Sequence, residues 1–180
     1  MFDKDMSIRG KYATYWKALS QIPGNANETS HNFKIFENYI ATYMVAPIIG
    51  LLYGKRNYYD PLDDIKDTAG MLAEVQIKNS SKLKYIYRMI ILSDDSLGLT
   101  NEEKINLAFR EIDNPEYVKK GMDLYTSYFF GGLEILYETF VTNCITDDDY
   151  IAKMFEFVSN FKEEQSIDDI SVDIEKLLRK

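Results

Sequence analysis

Helix-start signals recur at four places in the second half of this chain, and each is followed by apolar residues at helical spacing. Thr100 with Glu103 has the pattern of a capping box, in which hydroxyl and carboxylate each satisfy an otherwise free backbone N–H. It precedes Ile105, Ala108, Phe109 and Ile112. Asn114-Pro115 joins an N-cap to a first-turn proline. The row behind it, Met122, Tyr125, Phe129, Leu136 and Phe140, is long and near heptad spacing. Thr146 with Asp149 opens a segment bearing Ile151, Met154, Phe155, Val158 and Phe161. Ser166 with Asp169 opens a last one with Ile167, Ile170, Ile174, Leu177 and Leu178.

The first half reads the same way with weaker punctuation. Tyr12, Tyr15, Trp16 and Leu19 predict a helix over about residues 8–21, stopped by Pro23-Gly24, with a loop to Ser30. Phe33, Phe36, Ile40, Tyr43, Pro47 and Leu51 share one face of the next helix, while Ile35, Tyr39, Ala46 and Ile49 occupy another. A helix apolar on both faces belongs in the middle of a bundle, and Pro47 should kink it. The Asn38–Gly54 stretch carries no charge. It is shorter than the roughly 20 residues a membrane span prefers, so a buried central helix is expected instead. Asp60-Pro61, followed by Asp63 and Asp64, predicts another helix start. A short helix is expected around Met71–Lys78, and a longer one over Leu83–Leu92 after Asn79-Ser80-Ser81. No hairpin dipeptide and no sustained period-two alternation occurs. The expected fold is all-α, a single-domain bundle of about seven or eight helices with a kinked central helix. Residues 1–29 form an N-terminal helix and loop, 30–163 the core bundle and 164–180 a C-terminal amphipathic helix.

Composition sets the class of chemistry. In 180 residues the hydrophobic fraction is 46% and the aromatic fraction 14%, which predicts a bulky, ring-rich core. The net charge of -8 argues against coating nucleic acid through the overall field. It suits a cytoplasmic protein that docks on a basic partner. Cys144 and His31 are the single members of their types, so no intrachain disulfide forms and no His- or Cys-rich metal site is expected. Cys144 lies in an apolar helical pattern and reads as a buried structural thiol. The charged N-terminus, Met1–Gly10, lacks the apolar run of a secretory leader. No phosphate-binding loop, dinucleotide fingerprint or Gly-x-Ser-x-Gly elbow is present, and no cofactor is implied.

Three features carry functional readings. Lys55, Arg56 and Tyr58, with Lys82, Lys84 and Arg88 beside Tyr85 and Tyr87, pair positive charge with flat rings; that combination suits single-stranded nucleic acid if the groups converge. Gly131-Gly132 inside the long helix weakens it by about 1 kcal/mol per glycine, which close backbone packing would justify. The acidic clusters Asp63-Asp64, Asp94-Asp95 and Asp147-Asp148-Asp149 fall at predicted helix starts or in loops, and the helix dipole accounts for much of them. Glu28-x-x-His31 has no second copy, which a di-iron bundle would need. No catalytic residue is assigned, and an enzyme would need a carboxylate pair that sequence does not display. The terminal stripe of Ile167, Ile170, Ile174 and Leu177 is a face for a partner helix or groove.

The stretch Phe33–Ile40, continued by Tyr43–Tyr53 and later by Gly131–Tyr137, resembles small helical accessory proteins of bacterial mobile-element and phage-defence operons, such as those linked to DNA phosphorothioation. The resemblance implies a subunit or adaptor role beside larger nucleic-acid-handling proteins and assigns no functional residue. The combined expectation is a non-enzymatic interaction subunit of a bacterial cytoplasmic assembly with a larger protein partner and no membrane insertion. Single-stranded nucleic-acid binding is the first alternative, and an enzyme with a carboxylate site the second.

Overall fold

Helix α2 (Tyr39–Leu52) and helix α6 (Pro115–Phe140) cross so closely that neither tolerates a side chain at the contact. A Cβ on Gly132 would stand 1.8 Å from the Ala46 carbonyl oxygen, and one on Gly50 would stand 2.2 Å from that of Tyr128. The expected reason for Gly131-Gly132, backbone approach, is therefore met at Gly132. These two helices share the most extensive packing in the molecule.

The structure is a computed structural model that describes residues 1–20, 34–60, 63–110, 114–142 and 144–164. Among them the order is β1 (Met6–Arg9), α1 (Lys11–Leu19), α2, β2 (Thr68–Met71), α3 (Ala73–Lys78), α4 (Ser80–Ser93), α5 (Asn101–Ile105), a π-helical turn at Asn106–Arg110, α6 and α7 (Asp147–Glu164). The fold is thus a mostly helical domain, and the one sheet among the described residues is a two-stranded ribbon. No helix among the described residues is long and apolar enough to cross a membrane. Pro61, Leu62, the 21–33 stretch with His31, and the predicted terminal helix with Ile167, Ile170, Ile174 and Leu177 lie outside the described residues.

Pro47 sits inside α2 as expected, and its effect is specific. A proline lacks the N–H that would bond the carbonyl four residues back, which here is Tyr43. The Tyr125 hydroxyl of α6 donates to that carbonyl at 2.9 Å in the buried core. Around this contact the rings interlock. Trp16, Tyr43 and Phe129 pack with centroids 5.0 to 6.1 Å apart, and Tyr12 stacks on Phe130 at 4.5 Å. Phe2 adopts φ 59° and inserts edge-on among Tyr43, Tyr87 and Tyr125.

The ribbon corrects two readings. The first helix begins at Lys11, because Ile8 belongs to β1 and Gly10 breaks the chain at φ 74°. Antiparallel pairing sets Met6 opposite Met71 and Ile8 opposite Ala69, with Ile8, Ala69 and Met71 buried. Four residues per strand are too few to display an alternation in sequence. The second correction concerns Asp60-Pro61: the described residues that follow, 63–67, form no helix and lead into β2. Asp63 caps a different helix, its carboxylate accepting from the Lys11 N–H of α1 at 2.7 Å. Gly10, at the cap position of α1, has no side chain of its own and leaves room for Asp63, whose oxygen would lie 2.4 Å from a Cβ. The three later caps within the described residues form as read, and the one at Ser166 lies outside them. Thr100 and Glu103 make a reciprocal capping box, and the Asn114 side chain accepts from the Glu116 N–H. The Thr146 hydroxyl accepts from the Asp149 N–H while the Asp149 carboxylate accepts from the Thr146 N–H.

Candidate functional site

The turn after α2 lies directly on α6. Helix α2 ends in a Schellman motif, with the Gly54 N–H bonding the Leu51 carbonyl and the Lys55 N–H the Gly50 carbonyl. The Lys55 carbonyl passes 1.9 Å from where a Cβ on Gly131 would be, and the Asn57 N–H donates to the Ser127 carbonyl at 2.9 Å. Gly131 therefore serves this turn, whereas Gly132 serves the helix crossing.

Two carboxylates flank the turn. Glu134 of α6 is 16% exposed and takes Lys55 Nζ at 2.9 Å, Lys11 Nζ at 3.1 Å and Asn57 Nδ2 at 2.6 Å. Burial alone would raise its pKa; the hydrogen bonds from Lys55, Lys11 and Asn57 outweigh that and hold it down to about 2. On the other side, Asp94 is 4% exposed. It accepts from the Ser96 N–H at 2.8 Å, the Ser96 hydroxyl at 2.5 Å and the Tyr128 hydroxyl. Arg56 stacks its guanidinium 5.8 Å from the Tyr128 ring centre and donates to the Ser96 hydroxyl. Burial opposes ionisation of Asp94, yet the Ser96 and Tyr128 donors win and its pKa falls. Burial, then the Asp94 charge, push the Tyr128 hydroxyl up to about 12. Carboxylates so fully supplied with donors are weak bases at neutral pH. The arrangement clamps the Lys55–Asn57 turn between α6 and the end of α4.

The predicted basic residues fall in separate places. Lys55 is ion-paired to Glu134 and Glu138, and Arg56 is held by Ser96 and Tyr128. Arg88 donates to the Ala108 carbonyl at 3.3 Å and lies over the Phe109 ring at 4.8 Å, so it fastens α4 to the π-helical turn. Lys82 is exposed beside Ser81, Tyr85 and Met44 at the start of α4. Arg56 meets Ser96 past the other end of that helix, and at 1.5 Å per residue the rise from Lys82 to Ser93 is about 17 Å. Lys84 is half-buried on a different side of α4 from Lys82, since two residues turn the helix by about 200°. Tyr58 and Tyr85 are exposed. Among the described residues no group of three His, Cys, Asp or Glu side chains converges as a metal site. Cys144 is half-buried, and burial raises its thiol pKa.

Each acidic cluster includes a residue with a structural task. Asp63 caps α1, Asp94 anchors Tyr128 and Ser96, Asp95 pairs with Lys104 at 2.6 Å, and Asp149 completes its capping box. Glu134 was not legible as a special residue: a lone acid in the run Gly131–Leu136 was its signal, and its partners Lys11 and Asn57 come from distant segments.

Helix α7 carries the other unusual surface. Tyr150, Met154 and Phe157 turn toward the body, with Phe157 packed edge-on against Phe140 at 5.2 Å. Glu138, Lys153, Glu156 and Asn160 line a cleft of about 350 Å³ where α7 leaves α6. A second apolar row faces outward: Ile151 is 57% exposed, Phe155 75% and Val158 62%. Ile145, just before the helix, is exposed as well. Comparison with known proteins finds no match: no family model, no curated protein and no solved structure aligns with this chain.

Proposed function

We propose that this chain is a non-enzymatic helical interaction subunit that docks on a protein partner through α7. The observation that carries the reading is the outward row Ile151, Phe155 and Val158. Contiguous exposed apolar surface with a polar rim marks interaction sites on proteins, and an amphipathic helix with anchors three and four residues apart is a common docking element. The assembly would be a cytoplasmic one of the phage-defence kind that the sequence resemblance implies, and a larger protein would belong to it. Affinity capture of the full chain from native cells, followed by reconstitution with the identified protein, tests this. A stoichiometric partner whose binding is lost in Phe155→Glu supports the reading. Recovery of no stoichiometric partner, or binding indifferent to Phe155, counts against it.

The nucleic-acid alternative is left with Lys82 and Tyr85 at the start of α4, since Lys55, Arg56 and Arg88 hold internal partners. It predicts single-strand binding that weakens steeply with salt and disappears in Lys82→Glu.

A further inference from the structure

We propose that the α7 face binds a second copy of this chain, the two α7 helices running antiparallel about a two-fold axis at Phe155. The inference rests on the interaction reading above and deepens it by naming the occupant. Its basis is the order of side chains along one row of the helix. Ile151, Phe155 and Val158 recur at spacings of four and three, and the same spacing carries the row to Asp148 at one end and Lys162 at the other. All five are exposed. The row therefore reads acid, aliphatic, Phe, aliphatic, base, with Phe155 one heptad from either charge, and this is the seam spacing of paired helices.

Such a row is complementary to its own reverse. Antiparallel pairing sets Ile151 against Val158 of the second copy and Phe155 near its equivalent. Asp148 then meets Lys162 of the second copy, and the same contact occurs twice by symmetry, as an isologous interface requires. Parallel pairing would instead set acid against acid and base against base. The helix dipoles favour the same direction, because the positive N-terminal end of each α7 then lies beside the negative C-terminal end of the other. Eighteen residues make a helix about 27 Å long, which is a small contact, so the association falls at the weak end of specific interfaces.

Sedimentation equilibrium of the full chain over a range of concentrations tests the proposal. The expected mass rises from one chain to two with a midpoint on the order of 10 μM. Phe155→Glu, a change at an exposed position, keeps its melting temperature and weakens the association about tenfold or more. Direction is read by cross-linking in a Cys144→Ser background: chains carrying Ile151→Cys should join to chains carrying Val158→Cys. A chain monomeric throughout, a dimer unaffected by Phe155→Glu, or Ile151→Cys chains that join only to one another would each overturn the proposal. A monomer whose identified protein partner is still lost in Phe155→Glu overturns self-pairing and leaves the interaction reading standing. A monomer whose variant behaves like the parent in both assays loses both.

Discussion

Tyr125 and Tyr87 are both buried tyrosines in the same ring cluster, and they should respond to loss of the hydroxyl with opposite sign. Tyr125 supplies the hydrogen bond that Pro47 takes from the Tyr43 carbonyl. Tyr125→Phe leaves that carbonyl unpaired in the core and should cost about 1–3 kcal/mol by denaturant unfolding. Pro47→Ala restores an N–H for the same carbonyl, so the double variant should lose less than the two single losses combined. Tyr87 is 1% exposed, and its hydroxyl has no partner among the described residues. Tyr87→Phe should therefore be neutral or stabilising by up to about 1 kcal/mol. Glu134 gives a prediction that depends on pH. Glu134→Gln takes the anion from half-buried Lys11, leaves Lys55 only the more exposed Glu138, and should cost about 2 kcal/mol at pH 7. The folded pKa of Glu134 lies below its ordinary value of 4.5, near 2. A depressed carboxylate stabilises fully above its unfolded pKa and loses that stabilisation as pH falls toward its folded pKa. The gap between parent and variant should accordingly be widest above pH 4.5 and close toward pH 2; urea unfolding at several pH values measures it.

At the scale of elements, the α2–α6 crossing reverses a general rule. Glycine to alanine inside a helix ordinarily gains about 1 kcal/mol. At Gly132 the new methyl would meet the Ala46 backbone at 1.8 Å, and no side-chain adjustment relieves a clash with main chain. Gly132→Ala should lower stability by about 3 kcal/mol or more, as overpacking at a fixed contact does, with a fall in melting temperature as the readout. The same comparison shows what was legible. Thr100, Asn114 and Thr146 signal helix starts because a cap acts on N–H groups within three residues, and local sequence contains the whole interaction. Asp63 misled because a carboxylate near a proline looks the same whether it caps its own segment or, as here, the N-terminus of α1 fifty-two residues away. The ribbon of Met6–Arg9 with Thr68–Met71 was hidden for a related reason: its pairing is long-range and its strands are short. Among the candidate residues, the local aromatic-basic pattern at Lys55 and Arg56 was visible. Their capture by Glu134, Ser96 and Tyr128 depends on where α6 and the end of α4 lie, which no local spacing encodes.

At the scale of the molecule, the described residues divide into a tightly interlocked body and a helix joined to it along one face. The body is held by the α2–α6 crossing, the clamp around Lys55–Asn57 and a ring cluster that includes Trp16, Tyr43 and Phe129. Helix α7 meets it through Tyr150, Met154, Phe157 and Phe140, and leaves its other apolar row outside. Elements with few buried apolar contacts open at lower free energy than the core that surrounds them. Native-state hydrogen exchange should therefore find the slowest amides in α2 and α6, exchanging only with global unfolding, and α7 amides faster by on the order of a hundredfold. Mass action adds a condition that packing alone does not impose. If α7 pairs with a second copy, its opening is opposed in proportion to the fraction paired, so α7 protection should rise with protein concentration while α2 and α6 keep their order as the slowest elements. In Phe155→Glu the concentration dependence should vanish and the protection of α7 settle at its dilute value. Exchange in α7 that is as slow as in α6 at every concentration would mean that the helix belongs to the rigid body, and that its outward row serves no dissociable contact.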